Sequence, residues 1–460
     1  MKKATITDSG KPQKPVLRDG IVIWITFTVV KKRTRSRHLK PVDIHRHFST
    51  VLDTLCYSII MKILLAPDSF KNSMSAVRVC EVMRQAILDV CPDAEVEMLP
   101  IADGGEGTVE AMRLALAGNA DAATASATLA EHSQVKEYHI EVNGSLANVK
   151  EKVSYLGYED KAIIEMALAN GLERLNGCLD PLNASTYGTG EMIKDAIRRG
   201  YRDILIGIGG SATNDGGTGA MQALGAVFCD KDGNPIERMC GKELINIESI
   251  NLNEFLPIII GSHFTVMCDV DNPLTGPNGA TYVYGPQKGA GEKELKQLET
   301  GMLHYRKKLL ETFSDMSRQI TPDMPGAGAA GGLGAALVIF LKAKAVPGIE
   351  AVLYYGRFDE KAAQADLIIT GEGKADTQTL RGKAVAGVCK RAKQLNTPVM
   401  LIAGLVELGR NEIISMGISE AFSLMQEGMD LVYAMEHAEE ILYKKTCQAV
   451  LDWIKRTQPA

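Results

Sequence analysis

Two carboxylates set among three glycines, Asp103-Gly104-Gly105-Glu106-Gly107, follow an apolar run that closes on Ala102. Glycines let backbone N–H groups come close to a ligand, and carboxylates hold a hard divalent cation or accept a proton. A turn alone needs one or two glycines, so three with two acids point to a site. A second constellation runs from Ile206 to Gly219, IGIGGSATNDGGTG. Gly209, Gly210, Ser211, Thr213, Asn214 and Asp215 fill a loop rich in glycine and hydroxyls ahead of a helix from Thr218, the composition of an anion cradle. A third, Thr370-Gly371-Glu372-Gly373-Lys374-Ala375-Asp376 with Arg381 and Lys383 behind it, gathers positive charge after another apolar run. Its spacing is not that of a Walker A loop, because no Gly lies five residues before Gly382.

Three smaller signals have plainer readings beside the functional one. In Asp68-Ser69-Phe70-Lys71-Asn72-Ser73, Ser73 could cap a helix while Lys71 faces an anion at its N-terminus. Ser185-Thr186-Tyr187-Gly188-Thr189-Gly190 opens a helix over Glu191–Arg199, where capping alone accounts for the hydroxyls. Asp269 ends an apolar strand before Asn272-Pro273 and could stand beside a metal, with Gly285-Pro286-Gln287-Lys288-Gly289 downstream. The run GAGAAGGLG, Gly326 to Gly334, carries no polar side chain and reads as a closely packed Gly/Ala helix. A rival chemistry also exists. Gly207-Ile208-Gly209-Gly210-Ser211-Ala212 fits G-x-G-x-x-A, with Asp230 about twenty residues on, as in the dinucleotide fingerprint of an NAD(P)-dependent oxidoreductase. No hydride-transfer His stands near it, and His263 reads as a surface or core residue.

The elements that must position these groups are legible as five short apolar runs: 62–67, 95–102, 366–370, 398–403 and 420–425. Helical periodicity fills 76–90, 108–116 and 382–395 between them, so the expectation is a parallel sheet covered on both faces. Two of these strands precede residue 120 and three follow 365. Residues 121–324 are therefore expected as an inserted α/β domain, within a discontinuous domain of 61–120 and 325–460. The insertion reads as a hairpin of 136–143 and 147–155 through Asn143-Gly144, then strands at 161–166, 203–208, 225–229 and 264–270. The expected binding site is the cleft between sheet and insertion.

Charge narrows the class. Residues 1–60 carry 12 Lys/Arg against 4 Asp, while the whole chain has a net charge of −5, which leaves residues 61–460 at −13. An acidic body argues against nucleic-acid partners, and any anionic ligand needs a local nest of donors. The nine cysteines contain no C-x-x-C pair, the pattern of a reducing compartment, and a cytoplasmic location is expected. Ile21 to Val30 is apolar for ten residues, too short for a membrane span, and the basic stretch Lys31 to Lys40 follows rather than precedes it. Residues 1–60 are expected to be a poorly ordered appendage or the product of a start codon placed upstream of Met61.

The motifs PDSFKNSMSA, ADGGEGT, STYGTGE, IGIGGSATNDGG, CDVDNPLTG, YGPQKGA, PGAGAAGGLGAAL and ITGEGKADTQTLRGK together resemble the bacterial type I glycerate kinases, in order, over nearly all of residues 61–455. Asn72 departs from the Gly or Glu common there, and Gly428-Met429-Asp430 from the usual end of the last strand. The resemblance implies a flavodoxin-like domain with an inserted restriction-enzyme-like domain. It implies ATP-dependent phosphorylation of D-glycerate with Mg²⁺, at the 2-hydroxyl in the galactarate and glyoxylate branches. The expected partners are D-glycerate and ATP, with a homodimer left open and neither nucleic acid nor membrane. Motif chemistry then suggests Asp103 or Asp215 as the proton acceptor and Lys374 and Lys383 on phosphate oxygens. Gly209, Gly210 and Ser211 would form the cradle, joined by Thr213, Asn214 and Glu372 around the nucleotide. Ser69, Lys71 and Arg381 would meet glycerate, and Asp269 and Glu106 the metal or its waters.

Overall fold

The central strands of both sheets form where an apolar run is short enough to be buried on both faces. The computed structural model describes residues 17–18, 21–22, 60–71, 73–117, 135–314, 321–381 and 384–457. In chain order the strands of its two main sheets are β1 (Lys62–Leu65), β2 (Glu95–Met98), β3 (Val135–Asn143), β4 (Lys150–Tyr158), β5 (Lys161–Glu165), β6 (Asp203–Gly207), β7 (His263–Met267), β8 (Lys344–Val346), β9 (Leu367–Thr370), β10 (Val399–Ala403) and β11 (Ile418–Ser423). The helices used below are α1 (Ala76–Val90), α2 (Thr108–Ala117), α3 (Tyr187–Arg198), α4 (Leu333–Leu341), α5 (Gly348–Tyr355), α6 (Ala384–Leu395) and α7 (Ala438–Thr457).

The first sheet has the order β2-β1-β9-β10-β11, all parallel. These are the five runs read from the sequence, in the 2-1-3-4-5 order of flavodoxin-like folds. That order reverses between β1 and β9, so the crevice for a ligand opens where Asp68 and Glu372 follow those strands. Alternation along β1 sends Ile63 and Leu65 into a core with α1 and α7, and Leu64 into one with α2, α5 and α6. The second core also takes Ile163, Leu205 and Met267 from the other sheet. Helices α2 and α5 are thus shared between the sheets, and both sheets lie in one contact-dense unit, Ile60–Ala460. Ser75, not Ser73, caps α1: its hydroxyl accepts the Arg78 N–H at 3.3 Å.

The second sheet runs β8-β7-β6-β5-β4-β3, parallel through β5 and closed by the antiparallel β3–β4 hairpin. Three expectations shift here. The hairpin does not turn on Asn143-Gly144: Asn143 pairs with Lys150, and the left-handed residue is Asn148, with φ +62°. The Asn143 amide instead binds the Glu191 carboxylate on α3 at 2.9 Å. The strand expected at 225–229 is Val227–Cys229, which pairs with Ser249–Asn251 in a separate ribbon. The return to the first sheet falls after Val346 rather than at 325, because α4 packs in the core of the second sheet and β8 pairs with β7.

Most of the Gly326–Gly334 run loops ahead of α4 through a tight turn at Ala329–Gly332, and only its last two residues are α-helical. Ala330 and Gly331 sit in the left-handed region, and a Cβ on Gly331 would lie 2.0 Å from the Thr213 carbonyl oxygen. In the N-terminal unit, Leu17–Arg18 pairs antiparallel with Ile21–Val22. The other expectations for residues 1–59 lie outside the described residues. Among the described residues no helix is long and apolar enough to cross a membrane.

Candidate active site

Three adjoining cavities open along the seam between the sheets. The first, of about 650 Å³, lies over the C-terminal ends of the first sheet. Its lining combines the charged Asp68, Lys71, Glu372 and Lys374 with an apolar set, Phe70, Leu405, Leu431, Met435 and Ile441. The second, about 640 Å³, runs past Ser69, Lys71, Ser73, Glu106 and Gly210. The third, about 620 Å³, sits over the second sheet with Ser211, Asp269 and Lys288 in its lining. Asp103 lines all three.

Two glycine loops build the junction around it. The Gly209 N–H donates to the Gly104 carbonyl at 3.0 Å. A Cβ on Gly207 would meet the Gly104 oxygen at 2.5 Å, and one on Gly209 would meet the Gly105 Cα at 2.6 Å. Gly104, at φ +89°, leaves only 2.7 Å between its would-be Cβ and the Met267 Cβ. The glycines here serve backbone-to-backbone contact between the two sheets. That overturns the Gly209 part of the expected phosphate cradle, since its N–H is already committed. The dinucleotide reading fails on the same geometry. No helix opens behind Gly209, because the next one begins at Thr218.

Electrostatics marks this junction as costly. Burial first, then the Asp103 charge, pushes the Asp68 carboxyl up to about 7. Burial and the neighbouring Glu173 carboxylate push Glu106 up to about 7 as well. Glu165, at the end of β5, accepts the Gly107 N–H at 3.1 Å and the Val109 N–H at 2.9 Å, and burial lifts it to about 7. It fastens the Asp103 loop and the start of α2 to the second sheet. Carboxylates raised together in one cleft are the mark of a site that works on charge.

The remaining expected residues separate into those that face the cleft and those that do not. Ser69, Lys71, Glu372 and Lys374 line the first cavity. The Lys374 ammonium is paired with Glu407 at 2.9 Å and lies 3.6 Å from Asp376. Glu372 accepts the Thr379 hydroxyl at 2.7 Å. Glu106, Gly210, Ser211 and Asp269 line the third. One Asp269 oxygen accepts the Gly348 N–H at 3.0 Å, which ties it to the start of α5. Lys383 lies outside the described residues, and Arg381 is described only as part of the turn Thr379–Arg381.

Asp215, Thr213 and Asn214 are fully buried and line none of the three cavities. Asp215 accepts the Thr186 N–H and hydroxyl, both at 2.8 Å, the Gly217 N–H at 3.1 Å and the Gly219 N–H at 3.2 Å. It is a staple joining α3 to the loop before Thr218, and burial raises its pKa against those donors. The proton-acceptor role suggested for it gives way to this one. Residues left out of the expected site now stand in it: Asp68, Glu173 and Lys288. Asp68 and Lys288 belong to the motifs PDSFKNS and YGPQKGA, which carried that signal; nothing in the sequence marked Glu173.

A model of the Glycerate kinase family matches residues 63–455. The chain is 41% identical over 399 residues to a glycerate kinase of Halalkalibacterium halodurans, covering 86% of this chain and 99% of that one. It is 39% identical over 391 residues to the glycerate 2-kinase of Escherichia coli, covering 85% and 96%. A crystal structure from Salmonella typhimurium LT2, provisionally designated glycerate kinase 2, superimposes with a TM-score of 0.72 at 38% identity. It covers 87% of this chain and all of that one. Matched from β1 almost to the end of α7, the chain belongs to the glycerate kinase family.

Proposed function

We propose that this protein transfers the terminal phosphoryl group of ATP to D-glycerate at its 2-hydroxyl, with Asp103 as the proton acceptor. One observation carries the assignment of roles: Asp103 lines all three adjoining cavities, from the one over the first sheet to the one over the second. The position of transfer follows the E. coli relative, which is named a glycerate 2-kinase. The apolar part of the first cavity's lining suits a nucleobase, leaving the phosphates to run past Lys71 toward Asp103. Phosphoryl transfer asks the protein mainly to align donor and acceptor and to balance charge on the moving group. A carboxylate touching all three compartments can take the hydroxyl proton while the phosphoryl group crosses in front of it.

The acid set bears on the metal. Asp68, Asp103, Glu106 and Glu173 stand around the second cavity with Lys71 as the cation there. Polyanionic substrates fit such a place together with a hard divalent cation, whose natural ligands are carboxylate and phosphate oxygens. Among the described residues no group of three or more ligand side chains could hold a metal. Mg²⁺ would therefore enter with the nucleotide, held by its phosphates and by Asp103 or Glu106, and neutralise charge on the transferred group. Asp269 would act from further back, since it is tied to α5. A coupled assay with ATP and D-glycerate, with NMR of the product, tests the reading. Formation of 2-phosphoglycerate is expected; NADH-dependent turnover without ADP release would refute it.

A further inference from the structure

The third cavity contains a group that none of these roles uses. Lys288 ends the turn Pro286–Lys288 and is 1% exposed, yet it lines that cavity beside Ser211. Its ammonium donates to the Ser211 hydroxyl at 2.8 Å and to the Thr213 carbonyl at 2.6 Å. An ammonium has three donors, so one is uncommitted. No carboxylate among the described residues pairs with it. Asp215 acts on it only through space, and Asp215 is already saturated by its own donors. Asp103, Glu106, Glu173 and Asp269 share the cavity without reaching it. Among the described residues Lys288 is the one cation in that lining.

Two neutral hydrogen bonds replace only part of the hydration that a buried ammonium without a counter-ion gives up, and burial pushes this one down to about 7. A small carboxylate entering the cavity would supply the missing partner. In the first cavity Lys374 is already paired with Glu407 at 2.9 Å, and Lys71 is assigned to the phosphates. The cavity, about 620 Å³, is larger than a three-carbon acid, so a charge anchor rather than shape must fix where such an acid lies.

We propose that Lys288 is the anchor for the acceptor's carboxylate, holding the hydroxy acid in the third cavity with its hydroxyl toward Asp103. This rests on the kinase reading of the cleft, and it moves the carboxylate away from Lys71, which is left to the phosphates.

Lys288→Gln keeps two donors for Ser211 and Thr213 and removes the charge. KM for D-glycerate should rise about 10- to 100-fold, the range for losing a hydrogen bond to a charged group, while KM for ATP holds. A merely structural lysine would not move one and spare the other. Calorimetry of D-glycerate binding at pH 8, with a non-hydrolysable ATP analogue present and in buffers of different ionisation enthalpy, gives a second readout. The native enzyme should take up close to one proton as Lys288 becomes charged. Lys288→Arg, permanently charged, should bind without that uptake. The inference is overturned if a folded Lys288→Gln keeps its glycerate KM, or raises only the ATP KM. Should neither variant fold, competition on the native enzyme decides: glyceramide, which has the shape of glycerate without its charge, should bind at least about 10-fold more weakly, and equal affinity overturns the inference. Failure of the native enzyme to phosphorylate D-glycerate at all would instead remove the kinase assignment, and this inference with it.

Discussion

Asp68→Asn should make the protein more stable, and the gain should depend on pH. The Asp68 carboxyl is raised from 3.8 to about 7 by burial and by the Asp103 charge. An acid whose folded pKa lies above its unfolded value makes the native state hold its proton more tightly. Its ionisation therefore weakens folding as pH rises from about 4 to 7, and the penalty is complete above that window. Three pKa units correspond to a ceiling of about 4 kcal/mol, which water in an open cleft reduces to about 2 kcal/mol. Asparagine mimics the neutral form. Its side-chain oxygen can still accept the Ser69 N–H, which Asp68 holds at 2.6 Å. Urea unfolding midpoints at pH 5 and pH 8 measure the effect. The variant should gain about 2 kcal/mol at pH 8 and about 1.4 kcal/mol at pH 5, since a penalty of that size corresponds to about 1.5 pKa units. Phosphorylation of glycerate should fall at the same time, because a charge kept at a cost in a cleft is kept for activity. A variant no more stable than the parent at pH 8, or equally stabilised at both pH values, would show that the carboxylate is not held under stress.

Asp103→Asn preserves an acceptor for the Gly105 N–H, which Asp103 binds at 3.2 Å, so the loop should persist while kcat drops by about 10² or more with both KM values little changed; steady-state kinetics beside a thermal melt check this. The same variant should shift the acid limb of the pH–rate profile downward, because it removes a like charge that raises Asp68. Asp215→Ala leaves four buried donors without an acceptor and should cost about 3 kcal/mol or more, seen as a lowered Tm by calorimetry. An Asp215 variant with native stability and abolished turnover would restore the catalytic role set aside above. Gly207→Ala forces a methyl to 2.5 Å from the Gly104 oxygen and should cost about 1–3 kcal/mol while lowering kcat, since the loop it displaces carries Asp103; paired melts and kinetics test the link.

What could be read from the residues alone follows from where burial leaves a mark. Parallel strands covered on both faces must be apolar throughout, so β1, β9 and β10 could be read as runs, less so the partly exposed edge strands β2 and β11. The return from the second sheet could not, because α4 is apolar on every side and reads alike against either sheet. Glycine is the harder case. A Gly-rich loop after a strand says only that something comes close to the backbone, not whether that is a phosphate or another chain segment. Gly104, Gly207 and Gly209 are closed on each other, yet their composition matched a ligand cradle. The same ambiguity misplaced Asp215, whose neighbours looked like a site and proved to be its hydrogen-bond donors. It also hid Lys288, since a lysine in a Gly-Pro turn normally points into water. Where such a loop is locked by another loop, the polar groups beside the lock are held still. Asp103 is held in this way: its loop is clamped by Gly209 from one side and by Glu165 from another. A reacting carboxylate needs that fixity more than it needs a flexible cradle, because misplacement by about 1 Å can cost 10²-fold in rate. The glycines therefore serve catalysis by rigidity, and loosening the clamp should show in kcat before it shows in binding.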